Sequence, residues 1–216
     1  MKAPTPLFHA FALLLALSAA LTLHAEGEAT PLFDGKTLEG WKAAKPRNAH
    51  FWKVVDGVIT GDHDGKRVPT NTYLVTEREF SDFELRCQFR ISGDHQTGLI
   101  NSGIQYRSQL NAKGQMVGYQ ADIGRGYWGD IYDEHRRGKL VKGDTAELMK
   151  TLVEDGWNEY RIRVQGKRHE LFINGHRTVV YIEDKEDIPT KGIIGLQLHS
   201  GGVAKVEFKD ITIKPL

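Results

Sequence analysis

Disulfides are the first thing this sequence lacks. Cys87 is its one cysteine, so neither an intramolecular bridge nor a cysteine-based zinc site can form. Net charge is nearly absent as well: 29 Lys and Arg against 28 Asp and Glu leave a formal +1. That is too little to draw nucleic acid or an anionic membrane through a long-range field. With 7 prolines in 216 residues there is no Pro-rich linker, and no internal repeat or low-complexity tract occurs. Wholesale disorder, a collagen repeat and a coiled coil are thereby excluded. Several catalytic signatures are missing too: the Gly-rich phosphate loop, the G-x-S-x-G elbow and H-E-x-x-H. The strand motif E-x-D-x-x-E, which sets two carboxylates on one strand face for a retaining glycosidase, does not occur either. Stability must come from a packed core.

One long apolar run is present, and it stands at the N-terminus. Met1-Lys2 precedes Leu7 to Leu23, and Leu23-His24-Ala25 places a small residue before a cut, with Ser18-Ala19-Ala20 as a second cut site. These features predict that residues 1–25 are a signal peptide and that 26–216 form one domain. Read as a membrane anchor, the run of about 17 residues is short for a span and lacks a cationic stop. No cysteine follows it, so no lipid anchor is expected. The expected location is the periplasm or the medium, with no membrane attachment after cleavage.

Beyond the leader, period-two alternation dominates. In Phe83–Ile91, residues Phe83, Leu85, Cys87, Phe89 and Ile91 share a face opposite charged neighbours, so Cys87 reads as a buried hydrophobe. Tyr160, Ile162 and Val164 alternate likewise, then Gly166-Lys167 turns the chain into His169, Leu171 and Ile173. Asn174-Gly175 and Asp56-Gly57 are hairpin turns, since Asn, Asp and Gly tolerate the positive φ of a type I′ turn. The last segment changes phase between Phe208 and Ile211, which predicts a bulge. About eleven or twelve short strands separated by Gly, Asp and Asn turns predict an all-β antiparallel sandwich of two sheets. Helix is confined to a capping-box pattern at Asp144–Glu147, with one or two turns reaching Val153, or a loop in its place. The polar stretch from Gly61 to Thr72 reads as a rim loop.

Three strands carry polar residues of an unusual kind. Asn101, Gln105 and Arg107 share a face around Gly103; Gln120 and Asp122 share another; Gln197 and His199 a third. A solvated face normally carries Lys, Glu and Thr. Amides, a carboxylate and an imidazole beside small residues suit sugar hydroxyls instead, which need donors and acceptors at fixed angles. Next comes Gly124–Arg137, in which glycines bracket Tyr127-Trp128 and Tyr132 and Glu134 follow. Trp128 and Tyr132 read as a stacking platform for a pyranose ring, or as caps of the core.

The segments Leu32–Trp41, Phe51–Ile59, Asn101–Arg107, Gly118–Gly124, Trp157–Tyr160, Asn174-Gly175, Gly195–His199 and Val206–Ile213 resemble the 3-keto-disaccharide hydrolase domain, in order along nearly the whole chain after the leader. The resemblance implies a concanavalin A-like jelly roll with the site on its concave sheet. It also implies cleavage of 3-keto-glycosides, sugars oxidised at C3 by a separate dehydrogenase. One departure stands out. Where many members place a glutamate two positions before Gln120, this chain has Gly118, which leaves Asp122 or Glu134 to act as base.

A C3 ketone acidifies the C2 proton, so a base forms an enolate that expels the anomeric oxygen, after which water adds. The expected catalytic residues are Asp122 or Glu134 as base and His199 as base or acid. Asn101, Gln105, Arg107, Gln120, Trp128, Tyr132 and Gln197 are the expected substrate-binding residues. No cofactor is called for. Asp122, Glu134 and His199 have metal-ligating atoms, but their spacing makes no metal motif, and no metal is assigned. The rival reading is a non-catalytic, lectin-like sugar-binding domain; a hydrolase of unmodified glycans is weakened by the missing carboxylate motif. The expected ligand is a saccharide and not nucleic acid.

Overall fold

A computed structural model describes Met1 and residues 27–216. The expected signal peptide, residues 1–25, lies outside the described residues except for Met1. Two antiparallel sheets stack face to face. Sheet A runs β13 (His176–Ile182), β12 (Arg168–Ile173), β11 (Asn158–Gln165), β6 (Phe83–Asp94), β15 (Val203–Pro215), β4 (Val58–Gly61) and β3 (Trp52–Val55), with β1 (Thr30–Pro31) added on β15. Sheet B runs β10 (Gly138–Val141), β9 (Ile131–Glu134), β8 (Met116–Gly124), β7 (Asn101–Leu110), β14 (Gly192–Leu198), β5 (Thr72–Phe80) and β2 (Trp41–Ala43). This is the expected all-β jelly-roll sandwich. The described residues form 15 strands, more than the eleven or twelve expected. Pieces such as β1 and β2 are too short to show an alternation in sequence.

The core lies between the sheets, where the predicted inward faces meet. Phe83, Leu85, Cys87 and Phe89 of β6 and Tyr160, Ile162 and Val164 of β11 are buried against Ile104, Tyr106, Tyr119, Ala121 and Ile123 of sheet B. Each Phe, Leu, Ile or Val among them contributes about 1.5–3 kcal/mol by leaving water. Tyr106 and Tyr119 stack across β7 and β8 with centroids 5.4 Å apart. Both hairpin turns form with positive φ at Asp56, Gly57, Asn174 and Gly175. The bulge in β15 falls between Lys209 and Thr212, with Asp210 at φ 52°.

The capping box at Asp144–Glu147 does not form. Glu147 precedes a single 3₁₀ turn, Leu148–Lys150, and makes no side-chain cap, while Asp144 accepts from the Ala146 N–H in a local Asx turn. The rim loop between β4 and β5 is pinned by buried Val68, whose N–H donates to Gly202 and whose carbonyl accepts from Gly201, both at 2.9 Å. No helix among the described residues is long and apolar enough to cross a membrane.

Candidate active site

Register decides which polar side chains meet on the outer face of sheet B. Residues opposite one another in an antiparallel pair share a face. The pairs Gly103–Asp122, Gln105–Gln120, Gln120–Tyr132, Gly118–Glu134, Gln197–Gly103 and Tyr73–Gln197 therefore bring residues of five strands to one side. Their neighbours Tyr119, Ala121 and Ile131 point into the core. The alternation of β9 sorts the ionisable cluster that follows Trp128 in the same way. Tyr132 and Glu134 face outward, whereas Asp133 turns inward to Arg136 and Arg137, and Arg137 also binds Glu183.

An open hollow of about 210 Å³ results, with Asn101, Gln120, Asp122, Tyr132, Glu134 and His199 in its lining together with Leu99 and Tyr127. It is smaller than the roughly 300–1,000 Å³ of a drug-sized ligand pocket, so it suits one ring rather than an extended chain. Gly103 makes the floor possible: a Cβ there would come within 2.5 Å of Gln120 Cγ. In its absence the Gln120 side chain lies across the strand and its amide donates to Asp122 Oδ1. Gln105 stands behind. It accepts from the Ser108 hydroxyl at 3.1 Å and donates to Gln120 Oε1 at 2.6 Å, so a file of hydrogen bonds orients the carboxyl.

That carboxyl is only 3% exposed. Burial pushes its pKa from the ordinary 3.8 up to about 8, the Gln120 amide opposes the shift, and the neighbouring charges of Asp130 and Glu134 add to it. Glu134 is also raised, by burial first, against the pull of His135, His199 and the Tyr73 hydroxyl. His199 lies just past the end of β14. Its Nδ1 stands 2.6 Å from the Ser200 carbonyl, an acceptor, so Nδ1 carries a proton and points away from Nε2, the nitrogen left for exchange with a ligand. Among the described residues no group of three His, Cys, Asp or Glu side chains is arranged to hold a metal ion.

Seven of the ten expected residues lie at or directly behind this hollow: Asn101, Gln120, Asp122, Tyr132, Glu134 and His199 in the lining, and Gln105 behind. Gln197 is on the same face but fully buried, with its amide 3.3 Å from the Tyr73 hydroxyl. Two expectations need correcting. Arg107 is 2% exposed and points elsewhere: it donates to the Ser81 and Gly166 carbonyls and to Asp82 Oδ1 at 2.6–2.8 Å. A bulge between Tyr106 and Gln109, with Arg107 at φ 45°, turns its side chain off the outer face and puts the Ser108 hydroxyl there instead. Trp128 is a core residue packed on Phe89 at 6.3 Å between centroids. Of the adjacent aromatics it is Tyr127 that reaches the hollow, with the Lys139 ammonium 4.7 Å from its ring centroid. Tyr127, Leu99 and Tyr73 were not anticipated. The signal for Tyr127 was the Gly-bracketed pair itself, since two neighbours cannot both face inward.

The model of the family described as 3-keto-alpha-glucoside-1,2-lyase-like domain matches residues 28–214. Solved structures share the fold. A "putative glycosyl hydrolase" from Parabacteroides distasonis ATCC 8503 is 23% identical, with a TM-score of 0.63 over 88% of this chain and 94% of that one. The carbohydrate binding module CBM66 from Bacillus subtilis is 16% identical, with a TM-score of 0.60 over 82% of this chain and 96% of that one. No curated protein matches the chain.

Proposed function

The chain belongs to the 3-keto-alpha-glucoside-1,2-lyase-like domain family, and on that premise we propose that it is an enzyme cleaving the glycosidic bond of 3-keto-glycosides. The observation that carries this reading is the company Asp122 keeps. A buried carboxyl with a pKa of about 8 shares one ring-sized hollow with Glu134 and His199. A binding module needs amides and aromatics but gains nothing from converging acids and bases, which cost stability to bury.

Asp122, once ionised, removes the C2 proton, whose acidity comes from the adjacent C3 ketone. The electron pair moves into the C2–C3 bond and the ketone oxygen becomes an enolate. The enolate re-forms the ketone as the C1–O bond breaks, and the leaving oxygen takes a proton from Glu134 or His199. Water then adds to the C1–C2 double bond to give the free 3-keto-sugar. Asn101, Gln120 and Tyr132 supply donors for the ketone and hydroxyls. A base with a pKa near working pH combines adequate ionisation with proton affinity. Glu134 stands opposite Gly118 in the β8–β9 register, so a neighbouring strand provides a carboxylate where the sequence lacks one.

Incubation with 3-keto-trehalose tests the reading: free 3-keto-glucose is expected, and it is lost in Asp122→Asn. Tight binding with no product from the unaltered protein would make it a sugar-binding domain. We also propose export, on the strength of the N-terminal apolar run and its small-residue cut sites. N-terminal sequencing of the protein recovered from the periplasm or medium should then begin at residue 26; recovery with Met1 in place would sink that proposal.

A further inference from the structure

Behind the hollow lies an ion pair that the reaction as written does not use. Asp130, in the loop between β8 and β9, is 2% exposed, and its Oδ1 accepts from the Gly143 N–H at 2.8 Å. Its backbone is tied to that of the base. The Asp122 N–H donates to the Asp130 carbonyl and the Gly129 N–H donates to the Asp122 carbonyl, both at 3.1 Å. The opposite charge comes from β10. Lys139 stands across from Tyr132 in the β9–β10 register and so shares the outer face of sheet B. Its Nζ lies 2.5 Å from Asp130 Oδ2 and 4.7 Å from the ring centroid of Tyr127, which lines the hollow. Lys139 itself lines no part of it.

We propose that Lys139 is a positioning residue for the base: its ammonium neutralises the Asp130 carboxylate beside Asp122 and so lets Asp122 ionise in the hollow; this rests on the reading given under Proposed function. Two carboxylates held on adjoining buried backbone repel each other, and a cation bound to one relieves the other. The charges that act on Asp122 sort by sign. Asp130 and Glu134 of β9 disfavour its ionised form, and Lys139 of β10 favours it. The remaining strands against it bring uncharged groups. From β7 come Gly103, directly opposite, and the Asn101 amide on the same face. From β11 comes the Tyr160 hydroxyl, 3.4 Å from the Asp122 carbonyl and held protonated by burial. His199, past the end of β14, lines the same hollow and acts on Glu134. Lys139 in turn is held protonated, first by Asp130 and then by the charge of Asp122 itself. An ion pair that served the fold alone would have no such link to the base.

The test reads Asp122 directly, by NMR titration of its carboxyl carbon in isotope-labelled protein, and through activity, as the rising limb of kcat/KM against pH on 3-keto-trehalose. Lys139→Met should move both midpoints up by about 0.5–1 pH unit. That is less than the roughly 1–3 units of a fully buried contact, because the Lys139 side chain is 38% exposed and water screens it. Asp130→Asn, which keeps an acceptor for the Gly143 N–H, should move both down by a similar amount. The double variant should return them to within about 0.3 unit of the unaltered protein. Midpoints that stay put in both single variants, or that move the same way in both, would overturn the positioning role while leaving the cleavage reaction standing. Should Lys139→Met fail to fold with Asp130 buried and unpaired, Asp130→Asn decides alone: a downward move supports the role and an unmoved midpoint overturns it. No turnover by the unaltered protein would overturn the proposed reaction and this role in it, whatever the carbon titration reads.

Discussion

Replacing Asp122 by Asn should make the protein more stable, and increasingly so as pH rises. The folded protein holds this carboxyl at a pKa of about 8 against an ordinary 3.8. Between those values the native state binds more protons than the unfolded chain, so stability falls as pH increases. The contribution is fully present below pH 3.8 and is gone once pH passes the folded value near 8. The slope is at most about 1.4 kcal/mol per pH unit, giving an upper bound of about 4 kcal/mol between pH 5 and 8. Water reaches the hollow above the carboxyl, so about half that figure is expected, on the order of 2 kcal/mol. Asn keeps the Oδ1 acceptor that Gln120 uses and mimics the neutral acid, but it cannot ionise. Urea unfolding of both proteins at pH 5 and pH 8 measures the effect as the difference between them, in which titrations common to both largely cancel. The gap should open by about 2 kcal/mol in favour of the variant, while cleavage falls by about 10²–10⁴-fold. A gap that is the same at both pH values, or that closes toward pH 8, would refute the claim that burial holds this carboxyl neutral.

Cleavage by the unaltered protein should rise with pH toward 8 as Asp122 ionises, measured as kcat/KM; a fall over that range would recast Asp122 as the acid. Gly103→Ala sets a Cβ within 2.5 Å of Gln120 Cγ, so Gln120 must leave Asp122; kcat should drop at least about 10-fold, and unchanged kinetics would show that Gln120 does not position the carboxyl. Arg107→Ala removes three hydrogen bonds at the far end of β7, costing about 2–3 kcal/mol of stability with KM unchanged; a raised KM at intact stability would return Arg107 to the site. Trp128→Phe should cost about 1–2 kcal/mol by denaturant titration without moving KM, because the indole packs on Phe89 and lines no part of the hollow.

Much of the candidate site was legible because strands betray their faces. Gln120 and Asp122 alternate with Tyr119, Ala121 and Ile123, so one phase had to be core and the other had to be accounted for. Residues close in sequence to regular strand were placed correctly for this reason. Arg107 was misread because the same alternation was carried through a bulge, and one residue of slip turns a side chain to the other face. Trp128 was misread because a Gly-rich loop has no fixed period, so nothing local says which of two adjacent aromatics turns inward. The capping-box pattern failed for a related reason: hydrogen-bonding residues in a loop satisfy one another locally unless a helix is there to cap.

Local pattern along the chain specifies the class of structure, the inward face of most strands, both hairpin turns and the bulge in β15, because each follows from contacts between residues a few positions apart. Which polar groups meet was decided by the tertiary structure alone. Asp122, Glu134 and His199 come from β8, β9 and the end of β14, and only the interstrand register sets a β9 carboxylate opposite Gly118 and a glycine of β7 beside Asp122. The raised pKa of Asp122 arises there too. Burial and neighbouring charge are properties of the space around a carboxyl, and that space is assembled from strands far apart in the chain.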